Sequence, residues 1–349
     1  MKRLNLKEGE IFCNFKIKRL WKSGGFADTY IAHELDTKKD YMLKIETESE
    51  NKKSTLLNEH KIYEVIQKKQ PEEYRKRFLI EFAYDKRSNV HISALELLGA
   101  NLDDLKRVTN GYLVDINNTL RIAVETLRCI KDLHAMGIVH GDIKPGNFLV
   151  RPNKRFPIAL IDFGLSEIED EDNGSSKYKG TPKYSSLPVL SGTRPKKCDD
   201  IYSWIISMVY LLCGSLPWSH IDNKAQIKEM MEDEDGEKFK KFVPQEMMEI
   251  YHYASSLVND DRNAEIDYDK IEDFLARCIV RHYVQWKDPY FWEDIKEEVM
   301  LRVSPILLTI NSGDKPIPHP DPDSDLYDNE VSIELVFDDS KKHGCCLLI

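Results

Sequence analysis

The sequence lacks long apolar runs, cysteines at the spacing of a zinc site and an excess of basic charge. Its longest largely apolar run, at residues 204–214, is about half the ~20 residues that a membrane span needs, so we interpret it as a buried helix. Residues 1–15 hold no apolar block of signal-peptide length, and the seven cysteines lack the C-x-x-C spacing of a zinc site. We therefore expect a reduced, cytoplasmic protein that is not secreted, and a nuclear pool stays open as an alternative.

The charge balance argues against nucleic acid as a partner. Sixty acidic residues against fifty basic ones give a formal net charge of −10, whereas a general binder of the phosphate backbone needs a basic surface. With 349 residues, 41% of them hydrophobic, the chain can bury a substantial core and is expected to form a two-lobed globular protein.

Hydrophobic periodicity changes along the chain. Residues 15–46 alternate in period two, which predicts three short antiparallel strands, and further strands are predicted at 78–84 and 89–95. Residues 54–67 take a helical period in which Glu59 shares a face with apolar side chains, so we expect its carboxylate to point inward. The later pattern is mostly helical, which indicates an α-rich second lobe.

Two short motifs give the strongest functional signal. Residues 140–147 read His-Gly-Asp-Ile-Lys-Pro-Gly-Asn, and an Asp-Phe-Gly motif begins at Asp162. We expect Asp142 to orient a substrate hydroxyl and accept its proton, and Asn147 and Asp162 to supply oxygen ligands to Mg²⁺ on the phosphates of ATP. Lys144 is expected to offset charge on the transferred group, and its position favours Ser/Thr over Tyr as the acceptor.

A lysine and a glutamate upstream complete this pattern. Lys44 lies on the third predicted strand, fifteen residues before Glu59. We expect Lys44 to hold the α- and β-phosphates of ATP, and Glu59 to fix Lys44 through an ion pair. Taken alone, each residue would be interpreted as a surface charge, and only the register with the later motifs favours the functional interpretation.

The phosphate-covering loop is the weakest of the motifs. Residues 22–30 read Lys-Ser-Gly-Gly-Phe-Ala-Asp-Thr-Tyr where G-x-G-x-x-G-x-V is expected, so Lys22 and Ala27 replace the outer glycines. Gly24 and Gly25 remain, and the tip of the loop can still bring backbone N–H groups near the phosphates.

Five further sequence features carry a resemblance to one known family. They read Asn-Phe-Leu at 147–149, Glu-Leu-Leu-Gly at 96–99 with Asn-Leu-Asp-Asp-Leu at 101–105, Gly-Thr-Pro-Lys-Tyr-Ser-Ser at 180–186, Asp-Asp at 199–200 leading to Gly-Ser-Leu-Pro-Trp at 214–218, and Asp-Pro-Tyr-Phe-Trp-Glu at 288–293. Together with the catalytic motifs they resemble the casein kinase 1 superfamily of protein kinases, with the tau-tubulin kinase-like branch most similar. Gly141 is a departure that is shared with the vaccinia-related kinases.

The resemblance implies an α+β, bilobal protein kinase fold with a small β-rich N-lobe and a larger α-helical C-lobe. The implied boundaries are an N-terminal extension at 1–14, a kinase domain at 15–294 with the N-lobe at about 15–95, the hinge at 96–99 and the C-lobe at about 100–294, and a C-terminal tail at 295–349.

The resemblance also implies an ATP slot. Leu95 would be the gatekeeper, and Asp104 would contact the ribose. Backbone groups of Glu96 and Leu98 would bind adenine. The side chains that would line the slot are Trp21, Met42, Leu149 and Ile161.

The resemblance implies roles for three further positions, in support of the catalytic loop, in regulation and in substrate choice. Asp200 would brace the catalytic loop from below. Gly141 replaces the Arg that pairs with a phosphorylated activation loop, so we expect activity without such phosphorylation. Lys183, beside Thr181, would hold a phosphate or an acidic side chain of a protein substrate, and a solvated lysine-rich loop is the alternative. The surrounding basic cluster comprises Lys177, Lys179, Lys183, Arg194, Lys196 and Lys197.

Two functions of different classes are compatible with this pattern. The first is a monomeric Ser/Thr protein kinase that uses ATP and Mg²⁺ on protein hydroxyls. The alternative is a pseudokinase that serves as a binding or scaffold module. It is motivated by Lys22 and Ala27 in the phosphate-covering loop and by Met42, which stands where kinases usually place Ala. Retention of all the catalytic and metal-binding positions named above favours the first, because a chain without catalysis has no physical need for them.

The C-terminal tail has its own composition. Residues 311–328 are rich in Pro and Asp and are predicted to be a flexible linker, whereas 331–337 alternate and predict a lone strand or a docking segment. The chain ends in Cys-Leu-Leu-Ile, which fits a prenylation signal at Cys346, and Cys345 could add palmitoylation. We therefore expect peripheral membrane association through a lipidated terminus. An unmodified apolar tail is the alternative.

Overall fold

The structure, a computed structural model, describes residues 3–48, 54–108, 114–151, 155–169, 180–232 and 237–293. In its first part, one helix packs with six strands. These elements are β1 Ile11–Phe12, β2 Phe15–Ser23, β3 Asp28–Glu34, β4 Asp40–Thr47, helix α1 Thr55–Lys69, β5 Glu81–Arg87 and β6 Val90–Leu95. The strands form one antiparallel sheet in the order β1-β2-β3-β4-β6-β5.

The structure confirms the three strands and the helix predicted from periodicity, but one further strand begins later than predicted. The strand predicted at 78–84 begins at Glu81 instead. Phe78 is fully buried, and the N–H of Leu79 donates to the carbonyl of Leu160 at 3.1 Å. The apolar residues at its predicted start therefore connect the sheet region to the later part of the chain, which period-two alternation cannot reveal.

The second part of the molecule is α-rich, as predicted. Its helices are α2 Leu102–Val108, α3 Ile116–Ala135, α4 Leu187–Leu190, α5 Lys197–Cys213, α6 Lys224–Glu232, α7 Glu237–Phe242, α8 Gln245–Asn259 and α9 Tyr268–Arg281. Residues 204–213 of the apolar run lie in the buried helix α5, and Gly214 caps the end of this helix with a φ of +80°. Within the described residues, no helix is long and apolar enough to cross a membrane.

Two small two-stranded sheets place the catalytic motifs. Strand β7, Ile138–Val139, pairs with β10, Glu167–Ile168, and β8, Phe148–Val150, pairs with β9, Ile158–Leu160. The motif at 140–147 therefore lies in the loop between β7 and β8, and Asp162 follows β9. Loops at strand ends can carry polar groups because the strands that hold them are fixed by the core.

The hydrophobic core is in two parts. A smaller cluster lies within the sheet, and a larger one joins α1 to the helices of the second part, so that Ile62 and Ile66 pack in the same core as Leu127 and Trp204. Helix α1 is therefore anchored to both lobes. This position matters for the site, because α1 carries Glu59.

Candidate active site

The first element of the site is an ion pair between the sheet and α1. Lys44 Nζ on β4 lies 2.6 Å from Glu59 Oε2, which is the pair expected from the sequence. Glu59 is 1% exposed and also accepts a hydrogen bond from the Tyr63 hydroxyl at 3.1 Å. Burial by itself would lower the pKa of Lys44, but the carboxylates of Asp162 and Glu59 outweigh it and raise that pKa, so the ammonium stays charged.

A second carboxylate, Glu46, fixes the beginning of α1 and was not singled out from the sequence. It is 2% exposed and accepts hydrogen bonds from the N–H groups of Leu56 at 2.6 Å and Thr55 at 3.2 Å. The Ser54 hydroxyl also donates to it at 3.0 Å. Unpaired N–H groups and the helix dipole favour an anion at a helix N-terminus. The strand that carries Lys44 thus also holds the helix that carries Glu59.

Asp162 lies close to this pair. Its backbone is in the left-handed region, with φ of +68°, and its carboxylate Oδ1 is 3.2 Å from Lys44 Nζ. The Lys44 ammonium lowers the pKa of Asp162, so the carboxylate remains ionised. Phe163, directly after it, is fully buried and packs edge-on against Tyr63 of α1, with ring centroids 5.3 Å apart. The side chain of Asp162 is 46% exposed and is therefore accessible to a ligand.

The loop at 140–147 gathers its polar groups around Asp142. Lys144 Nζ lies 2.5 Å from Asp142 Oδ2, and the amide of Asn147 donates to the Asp142 carbonyl at 2.9 Å. Because Asn147 donates through Nδ2, its Oδ1 is the atom that can ligate a cation. The N–H of Ile161, next to Asp162, donates to the Asn147 carbonyl at 3.0 Å. This bond brings the two sequence motifs side by side.

Thr181 joins the same cluster. Its N–H donates to Asp142 Oδ1 at 2.8 Å, and its hydroxyl accepts from Lys144 Nζ at 2.8 Å. The segment expected to receive a peptide substrate thus touches the expected base directly.

Asp200 on α5 contacts the loop at 140–147 from below, as the family resemblance implied. Its carboxylate accepts from the N–H groups of His140 at 2.7 Å and Gly141 at 2.9 Å, and it is 1% exposed. Gly141 adopts a φ of +75°, and a Cβ there would lie 3.3 Å from the Leu165 carbonyl oxygen. A side chain at this position would be strained, so glycine suits the loop in this conformation.

The predicted adenine slot lies where β4 and β6 meet. Met42 pairs with Leu95 across the sheet, and both Leu95 and Leu98 are 3% exposed. The Glu96 side chain is paired with Arg151 at 2.5 Å. The remaining predicted lining residues, Leu149 and Ile161, are half-buried against the large core, whereas Trp21 on β2 is half-buried with the Arg19 guanidinium 5.7 Å from its ring.

Two predicted contacts with the nucleotide already have partners in the protein. The carboxylate of Asp104 accepts from the amide of Asn101 at 2.7 Å and lies 3.5 Å from the Arg107 guanidinium. In the phosphate-covering loop, the N–H of Gly24 donates to Ala27, while Arg3 contacts the Gly24 carbonyl and the Asp28 carboxylate. Gly25 has no neighbour within 4 Å of a Cβ built on it, so its backbone can be approached from outside.

Lys183 packs on an aromatic ring. Its Nζ lies 3.9 Å from the centroid of the Tyr210 ring, and the Lys106 ammonium lies 4.2 Å from the same centroid. Burial lowers the pKa of Lys183 to about 8, with Asp103 opposing this effect. The lysine is half-buried, so only part of it faces solvent.

The other described residues of the basic cluster each contact a different partner. Arg194 pairs with Glu167, and Lys197 lies 2.5 Å from Glu169, so these cations face carboxylates that follow Asp162 by five and seven residues. Lys196 contacts Asn263. Lys177 and Lys179 lie outside the described residues, as do Cys345 and Cys346 and the predicted segments at 311–328 and 331–337.

Comparison with known proteins identifies the family. Residues 15–283 match the family described as protein kinase domain. The chain belongs to the protein kinase family. Its fold, an N-terminal β-sheet followed by a helical C-terminal region, is the protein kinase fold expected from the motifs.

Individual relatives agree with this assignment. The chain is 26% identical over 313 residues to a candidate casein kinase I of Caenorhabditis elegans, covering 84% of this chain and 88% of the relative. It is 28% identical over 208 residues to a probable serine/threonine-protein kinase of Dictyostelium discoideum, covering 57% of this chain and 41% of that protein. The chain thus spans less than half of the Dictyostelium protein.

A solved structure matches the fold. The structure of vaccinia related kinase 3 superposes with a TM-score of 0.67 and 17% sequence identity, covering 82% of this chain and 94% of the other. At this identity the match supports the fold alone.

Proposed function

We propose that this kinase-family chain is an active Ser/Thr protein kinase of the casein kinase 1 group, in the tau-tubulin kinase-like branch. The observation that carries the proposal is the convergence of three groups of side chains: the Lys44–Glu59 pair, the ionised Asp162, and the cluster around Asp142. The similarity to a candidate casein kinase I supports the group. The reaction is transfer of the γ-phosphoryl of ATP to Ser or Thr hydroxyls of proteins.

The chemistry of the donor set fits Mg²⁺ with ATP. Asn147 Oδ1 and the accessible carboxylate of Asp162 are hard oxygen ligands of the kind that Mg²⁺ prefers. When bound, Mg²⁺ supplies charge neutralisation for the phosphates. Lys44 binds phosphate oxygens through an ammonium that Glu59 keeps in place, and the backbone at Gly24 and Gly25 covers the phosphates.

The Asp142 cluster carries the proton transfer in this proposal. Asp142 orients the acceptor hydroxyl and takes its proton, while Lys144 holds the carboxylate and offsets charge on the transferred group. Thr181 places the substrate-binding segment beside both residues through its two hydrogen bonds. The tyrosine-kinase alternative is disfavoured by Lys144, which stands two residues beyond the base.

In this proposal the adenine and ribose ends of the nucleotide lie where β4 and β6 meet. Backbone groups of Glu96 and Leu98 bind adenine behind the gatekeeper Leu95, and Asp104 contacts the ribose. The apolar walls are Trp21, Met42, Leu149 and Ile161. Because Asp104 is paired with Asn101 and Arg107, ribose binding exchanges those contacts for new ones.

Activity without activation-loop phosphorylation is part of the proposal. Gly141 offers no guanidinium to a loop phosphate, and its positive φ and nearby carbonyl disfavour a side chain there. The carboxylates of Glu167 and Glu169 already pair with Arg194 and Lys197 in the same region. Fixed carboxylates can order a segment as a phosphate does, through charge-assisted hydrogen bonds.

The substrate preference rests on Lys183. We propose that its ammonium receives an acidic or phosphorylated side chain of a protein substrate near Thr181. Its place on the Tyr210 ring leaves it a partly desolvated cation, which favours a strong interaction with an anion.

We propose that the kinase domain extends beyond residue 283, where the family match ends. The guanidinium of Arg121 on α3 donates to the carbonyls of Trp286 and Pro289 at 3.3 Å each, and lies 3.8 Å from the Tyr290 ring centroid. We therefore place the end of the kinase domain at about residue 294. The tail at 295–349 then carries prenylation at Cys346 and palmitoylation at Cys345, for reversible membrane association of a monomeric, cytoplasmic enzyme.

One incubation tests the function. Purified protein is incubated with Mg·ATP and casein, beside Asp162→Ala as the matched variant. Phosphorylated casein with wild type alone supports the kinase. Equal signals from both proteins, or none from wild type, would favour the binding module suggested by Lys22, Ala27 and Met42.

A further inference from the structure

One amide on α1 reaches the backbone that follows Asp162. Asn58 Nδ2 donates to the carbonyl of Ser166 at 2.9 Å, and it lies 3.3 Å from the carbonyl of Phe163 and 3.4 Å from that of Gly164. Asn58 precedes Glu59 in the chain. Because adjacent helical residues point about 100° apart, one side chain can face Lys44 while its neighbour faces the Asp-Phe-Gly segment.

The backbone that Asn58 contacts is a single turn of 3₁₀-helix, Phe163–Leu165. The N–H of Ser166 donates to the Phe163 carbonyl at 3.0 Å at the end of this turn. Short turns of this kind leave carbonyls that need donors from elsewhere. Since Phe163 is fully buried and Ser166 is 2% exposed, a side-chain amide is the donor that the site provides.

Helix α1 can hold this turn in place because α1 is itself held by contacts with the sheet. Glu46 holds the beginning of α1, and the Lys44–Glu59 pair joins its middle to the sheet. The turn also approaches α1 closely, since a Cβ on Gly164 would lie 3.4 Å from the Thr55 Cβ. A displacement of α1 would therefore move the turn, and Asp162 with it.

We propose that Asn58 is a positioning residue for the metal-binding aspartate. Its amide ties the turn after Asp162 to α1, so that the carboxylate is held near Lys44 without help from a phosphorylated activation segment. The proposal rests on the kinase function proposed above and adds to it the side chain that joins the turn after Asp162 to α1.

Three variants separate donation of hydrogen bonds from space filling. Asn58→Asp keeps the shape but replaces the donor with a carboxylate that the carbonyl oxygens repel. Asn58→Leu removes the donor and keeps similar volume. Lys61→Ala, an exposed position on the same helix, is the control. For each protein we would measure the Mg²⁺ concentration for half-maximal rate, kcat on casein, the melting temperature, and hydrogen exchange of the amides at 163–168.

We expect Asn58→Asp to be the most impaired variant, with a kcat about tenfold below wild type and a raised Mg²⁺ requirement. Asn58→Leu should follow, and Lys61→Ala should match wild type. Exchange at 163–168 should quicken in the same order. A merely structural role would lower the melting temperature and leave the Mg²⁺ requirement unchanged, and a space-filling role would leave Asn58→Asp equal to wild type. Either result would overturn the proposal.

Failure of the kinase function itself is distinguishable. If wild type transfers no phosphate, the exchange experiment still reports the contact. The missing transfer would reject the kinase function, faster exchange in Asn58→Asp would still support the positioning role, and unchanged exchange would reject the positioning role.

Discussion

Replacing Glu46 with Gln should weaken the attachment of α1 to the sheet. Glutamine keeps the volume of the side chain but has one acceptor oxygen where the carboxylate has two, and the N–H groups of Thr55 and Leu56 and the hydroxyls of Ser54 and Thr55 all donate to that carboxylate. At least one buried donor then loses its acceptor. The anion that complements the N-terminus of α1 is also lost.

The expected cost follows from these two effects. A buried donor without a partner costs about 1–3 kcal/mol, and loss of a favourable charge at a helix N-terminus costs about 0.3–2 kcal/mol where the group is partly buried. Because Glu46 is 2% exposed, solvent cannot compensate for either loss. We expect Glu46→Gln to lower the free energy of unfolding by about 2–4 kcal/mol.

The assay is urea unfolding of Glu46→Gln beside wild type, with the midpoint and slope fitted for each protein. Glu64→Gln is the matched control, since Glu64 is an exposed residue of the same helix. The control should stay within about 0.5 kcal/mol of wild type. If Glu46→Gln also stayed within that range, the carboxylate would not hold α1 and our account of the helix would be wrong.

Three further outcomes are expected. Phosphatase treatment should leave the rate on a peptide substrate nearly unchanged, and a loss greater than about tenfold, ~1.4 kcal/mol of barrier, would show that phosphorylation gates activity despite Gly141. Because Lys183 has a pKa lowered to about 8, it loses its charge as pH rises through that value, so the KM for an acidic peptide relative to a neutral one should rise between pH 7 and 9. Lys183→Arg stays charged and should remove this pH dependence; a wild-type ratio that is flat across the same range would leave Lys183 with no role in selection. At the C-terminus, intact mass measurement of protein from its native cell should show loss of the last three residues with a prenyl adduct on Cys346, and an unprocessed terminus would reject lipidation.

Much of the fold could be predicted from the sequence because its signals are local. The alternation at 15–46 specified three strands, and the helical period at 54–67 specified α1 with Glu59 facing inward. The strands and the helix depend on residues that lie close together in the chain. The ion pair between Lys44 and Glu59 was expected because both residues precede the catalytic motifs at the matching spacing.

The features that the sequence did not reveal depend on contacts between distant segments. Nothing in the local pattern around Asn58 indicates that its amide meets the carbonyls at 163–166, more than 100 residues away. For Glu46 a signal existed, since a carboxylate two residues after Lys44 lies on the same face of the strand. Its use at the beginning of α1 still required the position of that helix. Lys183 was expected to reach toward a substrate, and its packing on Tyr210 depends on α5.

The central claim, that this chain is an active protein kinase, is tested most directly by comparing wild type with Asp162→Asn in a phosphoryl-transfer assay with Mg·ATP and casein. Asparagine keeps the shape of the side chain and removes the charge that binds the metal. We expect wild type to transfer phosphate and Asp162→Asn to be slower by at least about a thousandfold, ~4 kcal/mol of barrier, with a nearly unchanged melting temperature. Equal rates for the two proteins would contradict the mechanism.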